Sequence, residues 1–145
     1  MPSVKDLMKK DVITIEQHMT VSAAAILMSE SSIGCLVVVD NKAPVGIVTE
    51  RDFVRRVIAK NLSPLSTKIS EIMSKPLTTV DPDLSVRDAA RIMIKKKIRR
   101  LPVVKENQLL GILVVSDFAR QLSKKTLTEE VLEAMARYPL EVTPY

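Results

Sequence analysis

The sequence predicts an α/β (α+β) chain of two tandem units, each strand, helix, strand, strand, helix, packed about a pseudo-twofold axis. Three observations carry this reading. The 145 residues suffice for one ordinary domain or for two small ones that share a core. Displacing the chain by 65 residues lays residues 4–57 on 69–122 without a gap, and sixteen of the 54 pairs are identical, where chance gives about one in twenty. Aliphatic exchanges such as Leu7/Ile72, Val12/Leu77, Leu27/Ile92 and Val48/Leu113 extend the pattern. A unit of about 60 residues is marginal alone, because small chains bury too little of their surface on folding. Two should therefore pack face to face, leaving two symmetry-related clefts.

Each element follows in order. Residues 12–15 and 77–80 are short β-branched or apolar segments, and Thr20 and Ser85 after them are helix N-caps by type. Val21, Ala24, Ala25 and Met28, like Val86, Ala89, Ala90 and Met93, recur at helical spacing and give each helix one apolar face. Strands are expected at residues 35–39 and 45–48, around a turn at Asp40-Asn41-Lys42. Their counterparts are residues 101–104 and 109–114, around Lys105-Glu106-Asn107. A second helix should run over residues 50–60 and again over 117–124. The organisation expected is a first unit at 1–62, a linker with Pro64 at 63–68, a second unit at 69–125, and a C-terminal helix and tail at 126–145. That last helix has a candidate capping box, Thr126 with Glu129, and should stop before Pro139.

Composition narrows the classes of function. With 46% hydrophobic and 27% charged residues and only 3 Gly, the chain is not collagenous, low-complexity or extensively disordered. No apolar run approaches the roughly 20 residues that span a bilayer, and the opening residues lack a secretory signal, so a cytoplasmic protein is expected. One cysteine and one histidine leave no disulfide framework and no zinc cluster. His18 reads as an exposed turn residue, and Met28 and Met93 as core. The net charge of +5 favours anionic partners. Nucleic acid is disfavoured among them, because 2 Tyr, 2 Phe and no Trp offer little for base stacking. No nucleophile, base and orienter can be assembled, so an enzyme is not expected.

The tandem unit, the starts Leu7-Met8-Lys9-Lys10 and Ile72-Met73-Ser74-Lys75, the stretch Ile98-Arg99-Arg100-Leu101-Pro102-Val103-Val104, and Gly46-Ile47-Val48-Thr49-Glu50-Arg51-Asp52 together resemble the CBS (cystathionine β-synthase) domain family. The resemblance covers all but about the last twenty residues. It implies a CBS pair, whose relatives bind adenosine-containing ligands in the clefts between units and regulate transporters, channels, kinases and metabolic enzymes.

In that light the chain carries what a nucleotide needs: a carboxylate for the ribose hydroxyls, cations for phosphate and an apolar slot for the base. Gly46 removes side-chain bulk at a strand-to-helix turn, and Thr49 and Asp52 can converge there. The resemblance gives Asp52 the ribose, Thr49 a nearby polar contact, and Arg99 and Arg100 the phosphate. Pro76, Leu77, Thr78 and Ile98 would surround the base. Thr49 and Asp52 also fit a helix capping box that needs no ligand. Asp117 persists in the second copy although Val114 replaces the threonine; Ser116 could there cap a helix displaced by two residues. Lys95, Lys96 and Lys97 read as a solvated helix end.

The second cleft would draw on Asp117, Ser116, Ile13, Ile33, Gly34 and Cys35, with Arg51 on phosphate and a less anionic ligand. Cys35 reads as a small buried hydrophobe rather than a nucleophile. The ligand expected is AMP, ADP or ATP, with S-adenosylmethionine and NAD left open, and no further cofactor or metal. A homodimer is expected through spare apolar surface at Val54, Val57, Ile58, Ala119 and Leu122, with an effector protein that the sequence does not name. The alternative is a ligand-independent interaction or assembly module.

Overall fold

The computed structural model describes residues 2–118 and 129–137. In chain order the elements are α1 (Val4–Leu7), β1 (Thr14–Glu16), α2 (Val21–Ser31), β2 (Cys35–Asp40), β3 (Ala43–Thr49) and α3 (Glu50–Phe53), which continues as a π turn at Val54–Ile58. Then come α4 (Ile69–Ile72), α5 (Val86–Lys96), β4 (Arg100–Lys105), β5 (Gln108–Val114) and a C-terminal helix, Glu129–Arg137. The pairs α1/α4, α2/α5, β2/β4 and β3/β5 keep the 65-residue offset at both ends. The chain is thus a mixed α and β structure of two tandem units, as the repeat predicts.

The local reasons repeat too. Thr20 Oγ1 accepts the Ala23 N–H at 3.1 Å and Ser85 Oγ the Asp88 N–H at 3.0 Å, so each long helix starts on its expected cap. Ser32 (φ 54°) and Lys97 (φ 56°) end those helices in the left-handed region. Both hairpins turn on two residues of positive φ, Asn41 and Lys42 in one and Glu106 and Asn107 in the other. Such turns match the twist of paired strands even without glycine. Each hairpin also carries a register shift at the same place, Val38/Val39 and Val103/Val104.

The compact units are not the sequence repeats. One unit is contiguous, Ile13–Leu77; the other joins residues up to Val12 to residues from Thr78 onward. In the contiguous unit, β1 pairs parallel to β2, β2 pairs antiparallel to β3, and α4 closes the core with Ile69, Ile72 and Met73 packed among Ile15, Val21, Met28, Leu36, Val38, Val48 and Val57. Ser74 exchanges backbone hydrogen bonds with Ile47 at 2.9 and 3.2 Å.

The other unit repeats this with the opposite donor. Lys9 exchanges backbone hydrogen bonds with Ile112, both at 2.9 Å, and Val4 and Leu7 join Val86, Met93, Leu101, Leu113 and Phe118 in the core. The segment that leads each repeat therefore packs on the other repeat, so the compact units are divided at Val12/Ile13 and Leu77/Thr78 rather than between the repeats.

Three elements differ from expectation. The strand expected at residues 77–80 is reduced to one bridge, Val80 with Val103. The helix expected over 50–60 is a single α turn followed by the π turn. In the second copy the helix starts at Asp117, two residues later than the equivalent of Glu50. The C-terminal helix seals α5 with buried Val131 and Ala134. Glu130 meets Arg91 at 2.9 Å and Arg87 at 3.3 Å, and Arg137 Nη1 donates to the Ile94 carbonyl at 3.2 Å. Thr126 of the expected capping box, Ala119 and Leu122 lie outside the described residues, as does most of the helix expected over 117–124.

Candidate functional site

Asp52 is built into the start of α3. Its Oδ2 accepts the Thr49 N–H at 2.9 Å and the Thr49 hydroxyl at 3.3 Å, while Thr49 Oγ1 accepts the Asp52 N–H at 3.4 Å. The capping box is therefore formed, and one face of the carboxylate is committed to it. The other oxygen, Oδ1, faces Arg56 Nε at 3.6 Å. A carboxylate has about four acceptor positions, so the box leaves capacity for ribose hydroxyls.

Asp117 repeats half of this arrangement. Its Oδ2 accepts the Val114 N–H at 2.7 Å, and its Oδ1 lies 4.0 Å from Lys9 Nζ. The backbone N–H three residues earlier is thus the constant partner of both acids, and the threonine hydroxyl is an addition that Val114 lacks. Asp117 is also more deeply buried than Asp52, 1% against 9% exposed.

Gly46 does not admit a ligand on its Cβ side. A Cβ there would meet Met73 Sδ at 2.7 Å and the Ser74 carbonyl oxygen at 3.0 Å. The space expected for a small molecule is filled by the chain's own leader segment, so this glycine serves close backbone packing.

The remaining expected residues divide between the two units. In the contiguous unit, Pro76 is exposed and follows a cis peptide bond, Leu77 is half-buried, and Arg51 is exposed. Ile13 and Ile33 are half-buried, and Gly34 and Cys35 are buried. The Gly34 carbonyl accepts the Glu50 N–H at 3.1 Å, and Cys35 is paired in register with Thr49. In the other unit, Thr78, Ile98, Arg99, Arg100 and Ser116 are half-buried.

Arg100 opens β4 opposite Val114. Its Nε is buried and has no hydrogen-bond partner among the described residues. A guanidinium stays charged at all ordinary pH, so a desolvated N–H without an acceptor is costly. Lys95, Lys96 and Lys97 are exposed at the end of α5, as their solvated reading requires.

Sequence reasoning missed Arg56 and Lys9. The spacing of Asp52 and Arg56, four apart, was a visible signal. Nothing in the sequence showed that Arg56 Nη1 also donates to the carbonyls of Ile72 at 3.0 Å and Met73 at 3.2 Å. Among the described residues no cluster of metal-binding side chains is present and no helix is long and apolar enough to cross a membrane.

Known proteins share this arrangement. The CBS domain family matches twice, over residues 4–59 and 69–124. The chain is 37% identical over 127 residues to the CBS domain-containing protein YhcV of Bacillus subtilis, covering 87% of this chain and 90% of that one. A conserved CBS domain protein of unknown function from Thermoplasma acidophilum superposes with a TM-score of 0.80 at 26% identity, covering 99% of this chain and 79% of the other. The hexameric CBS-CP12 protein of bloom-forming cyanobacteria gives a TM-score of 0.77 at 34% identity, covering 94% and 81%. Two ordered matches, with the same elements at a constant offset, establish that this chain belongs to the CBS domain family as a tandem pair, an architecture that generally serves regulation.

Proposed function

We propose that this chain is a regulatory ligand-sensing module that binds an adenosine nucleotide, AMP, ADP or ATP, and signals to a partner or to a second copy of itself. Asp52 takes the ribose hydroxyls beside Thr49, Arg99 and Arg100 take phosphate, and Pro76, Leu77, Thr78 and Ile98 line the base. The observation that carries the reading is the buried Nε of Arg100, which has no hydrogen-bond partner among the described residues. A phosphate oxygen is the acceptor that best answers a desolvated guanidinium. The first-copy residue at the equivalent position is Cys35, so the fold itself does not demand the charge. Asp117 with Ser116, Ile13, Ile33, Gly34 and Cys35 would serve a second, less anionic ligand, with Arg51 as its phosphate contact.

Calorimetric titration with adenosine, AMP, ADP, ATP, S-adenosylmethionine and NAD tests the proposal. AMP is expected to bind more tightly than adenosine, and Arg100→Ala to erase most of that difference. Absence of binding by every adenine compound at millimolar concentration would reject it.

A second reading, a ligand-independent assembly module, rests on large apolar side chains exposed on the contiguous unit, among them Val54, Ile58, Leu62 and Leu65. Val57, expected beside them, is instead core at 1% exposure. Self-association as a homodimer or a larger assembly is compatible with both readings, and the cyanobacterial relative is hexameric.

A further inference from the structure

Arg56 touches two things at once. Its Nε lies 3.6 Å from Asp52 Oδ1, and its Nη1 donates to the backbone carbonyls of Ile72 at 3.0 Å and Met73 at 3.2 Å. Those carbonyls end α4, the short helix whose side chains complete the core of the contiguous unit. The guanidinium fork suits this task, because its donors are fixed in one plane and can serve separate acceptors together. The π turn at Val54–Ile58 carries Arg56 within the helical segment that starts at Glu50 and holds Asp52 in its first turn.

The second acid is tied in the same sense by a different residue. Lys9 Nζ lies 4.0 Å from Asp117 Oδ1, and Lys9 belongs to the leader segment whose backbone pairs with Ile112. In one unit the cation comes from the helix and grips the leader; in the other it comes from the leader and faces the acid. The position equivalent to Arg56 is Gln121 and that equivalent to Lys9 is Ser74, so the two linkages are not copies of one ancestral pair. Both join the buried acid to the segment borrowed from the other repeat.

We infer that Arg56 is a positioning residue that couples the Asp52 carboxylate to the Ile72–Met73 segment, so that a ribose bound at Asp52 is felt at the end of α4. The inference rests on the nucleotide reading for its ligand, but the link between Arg56 and Asp52 is testable without one.

The experiment compares wild type, Arg56→Gln, Arg56→Lys, Asp52→Asn and the double variant Asp52→Asn/Arg56→Gln by calorimetry with adenosine and AMP. Arg56→Gln is expected to weaken both ligands by the same factor, about tenfold, because the ribose is common to them. In the Asp52→Asn background it should add less than twofold, and Arg56→Lys should fall between. Adenosine should slow amide exchange at Ser74 in wild type, and much less in Arg56→Gln at equal occupancy.

A purely structural arginine would lower thermal stability and leave affinity unchanged, which overturns the inference. So does loss of AMP with adenosine intact, which would make Arg56 a phosphate ligand. If wild type binds neither compound, the nucleotide reading fails and the link is judged by unfolding alone. Non-additive stability losses for Asp52→Asn and Arg56→Gln support it, and additive losses overturn it.

Discussion

Met73 occupies the space that a side chain on Gly46 would need, with its sulfur 2.7 Å from the position of a Cβ. The same relationship recurs between Met8 and Gly111, again at 2.7 Å. In the second case the Lys9 carbonyl oxygen also lies 2.7 Å away, whereas the nearest backbone atom at Gly46 is the Ser74 carbonyl at 3.0 Å. A thioether can rotate aside, but a backbone carbonyl held in a reciprocal pair cannot. Gly46→Ala should therefore destabilise by about 1–2 kcal/mol, and Gly111→Ala by more, about 2–3 kcal/mol. Denaturant unfolding checks the order, and equal losses at both sites would contradict the packing argument.

Asp52 stands in a capping box and in the proposed ribose site, and the two roles separate by readout. Asp52→Ala should cost about 1 kcal/mol of stability through the lost cap and also weaken adenosine and AMP alike. Asp117→Ala should cost more stability, about 1–3 kcal/mol, because it strands the Val114 N–H at a buried position. Paired thermal and calorimetric titrations distinguish the cases. Unchanged adenosine affinity in Asp52→Ala would leave only the cap.

The C-terminal helix should respond to acid. The carboxyl of Glu130 is held down at about 2 by its own backbone N–H, then by Arg91 and Arg87, against an ordinary value of 4.5. Because the folded value is the lower one, this contribution is present above pH 4.5 and is lost as pH falls from there towards 2. The helix should loosen from α5 over that range, and Glu130→Gln should loosen it at neutral pH. Amide exchange within Glu129–Arg137 as a function of pH provides the measurement. A helix equally protected at pH 7 and pH 3 would count against the argument.

Self-association should pass through the exposed apolar side chains of the contiguous unit. Val54 and Ile58 lie four apart and are 57% and 69% exposed. Ile58→Asp combined with Val54→Asp should convert an assembled wild type to monomer, with adenosine binding unchanged. Light scattering at micromolar concentration decides this, and a monomeric wild type would refute it.

Much of the fold was legible because repetition exposes what one copy hides. The 65-residue offset located α2 and α5, both hairpins and the caps Thr20 and Ser85, since each rests on local chemistry that recurs at fixed spacing. The exchange of leader segments was not legible. Leu7-Met8 and Ile72-Met73 are similar enough that either could fill either core, and self-comparison cannot say which does. The strand at residues 77–80 faded because Pro76 and Pro82 hem a segment left with one backbone bridge. At the site, Asp52 was singled out by its motif, and the capping role foreseen beside the ligand role is the one whose hydrogen bonds are formed. Arg56 was not, because its reach to Ile72 and Met73 spans sixteen and seventeen residues of chain and depends on where α4 packs.

The exchange also bears on how such a chain could have arisen. In this packing a lone repeat would lack the segment that closes its core, and would have to borrow one from a second molecule. Tandem duplication turns that bimolecular trade into an internal one, in which each half supplies the other at an effective concentration set by the tether. Each repeat is then hostage to its sibling. A lesion confined to Met8 or Lys9 falls on the core of the second repeat, and one at Met73 or Ser74 falls on the first.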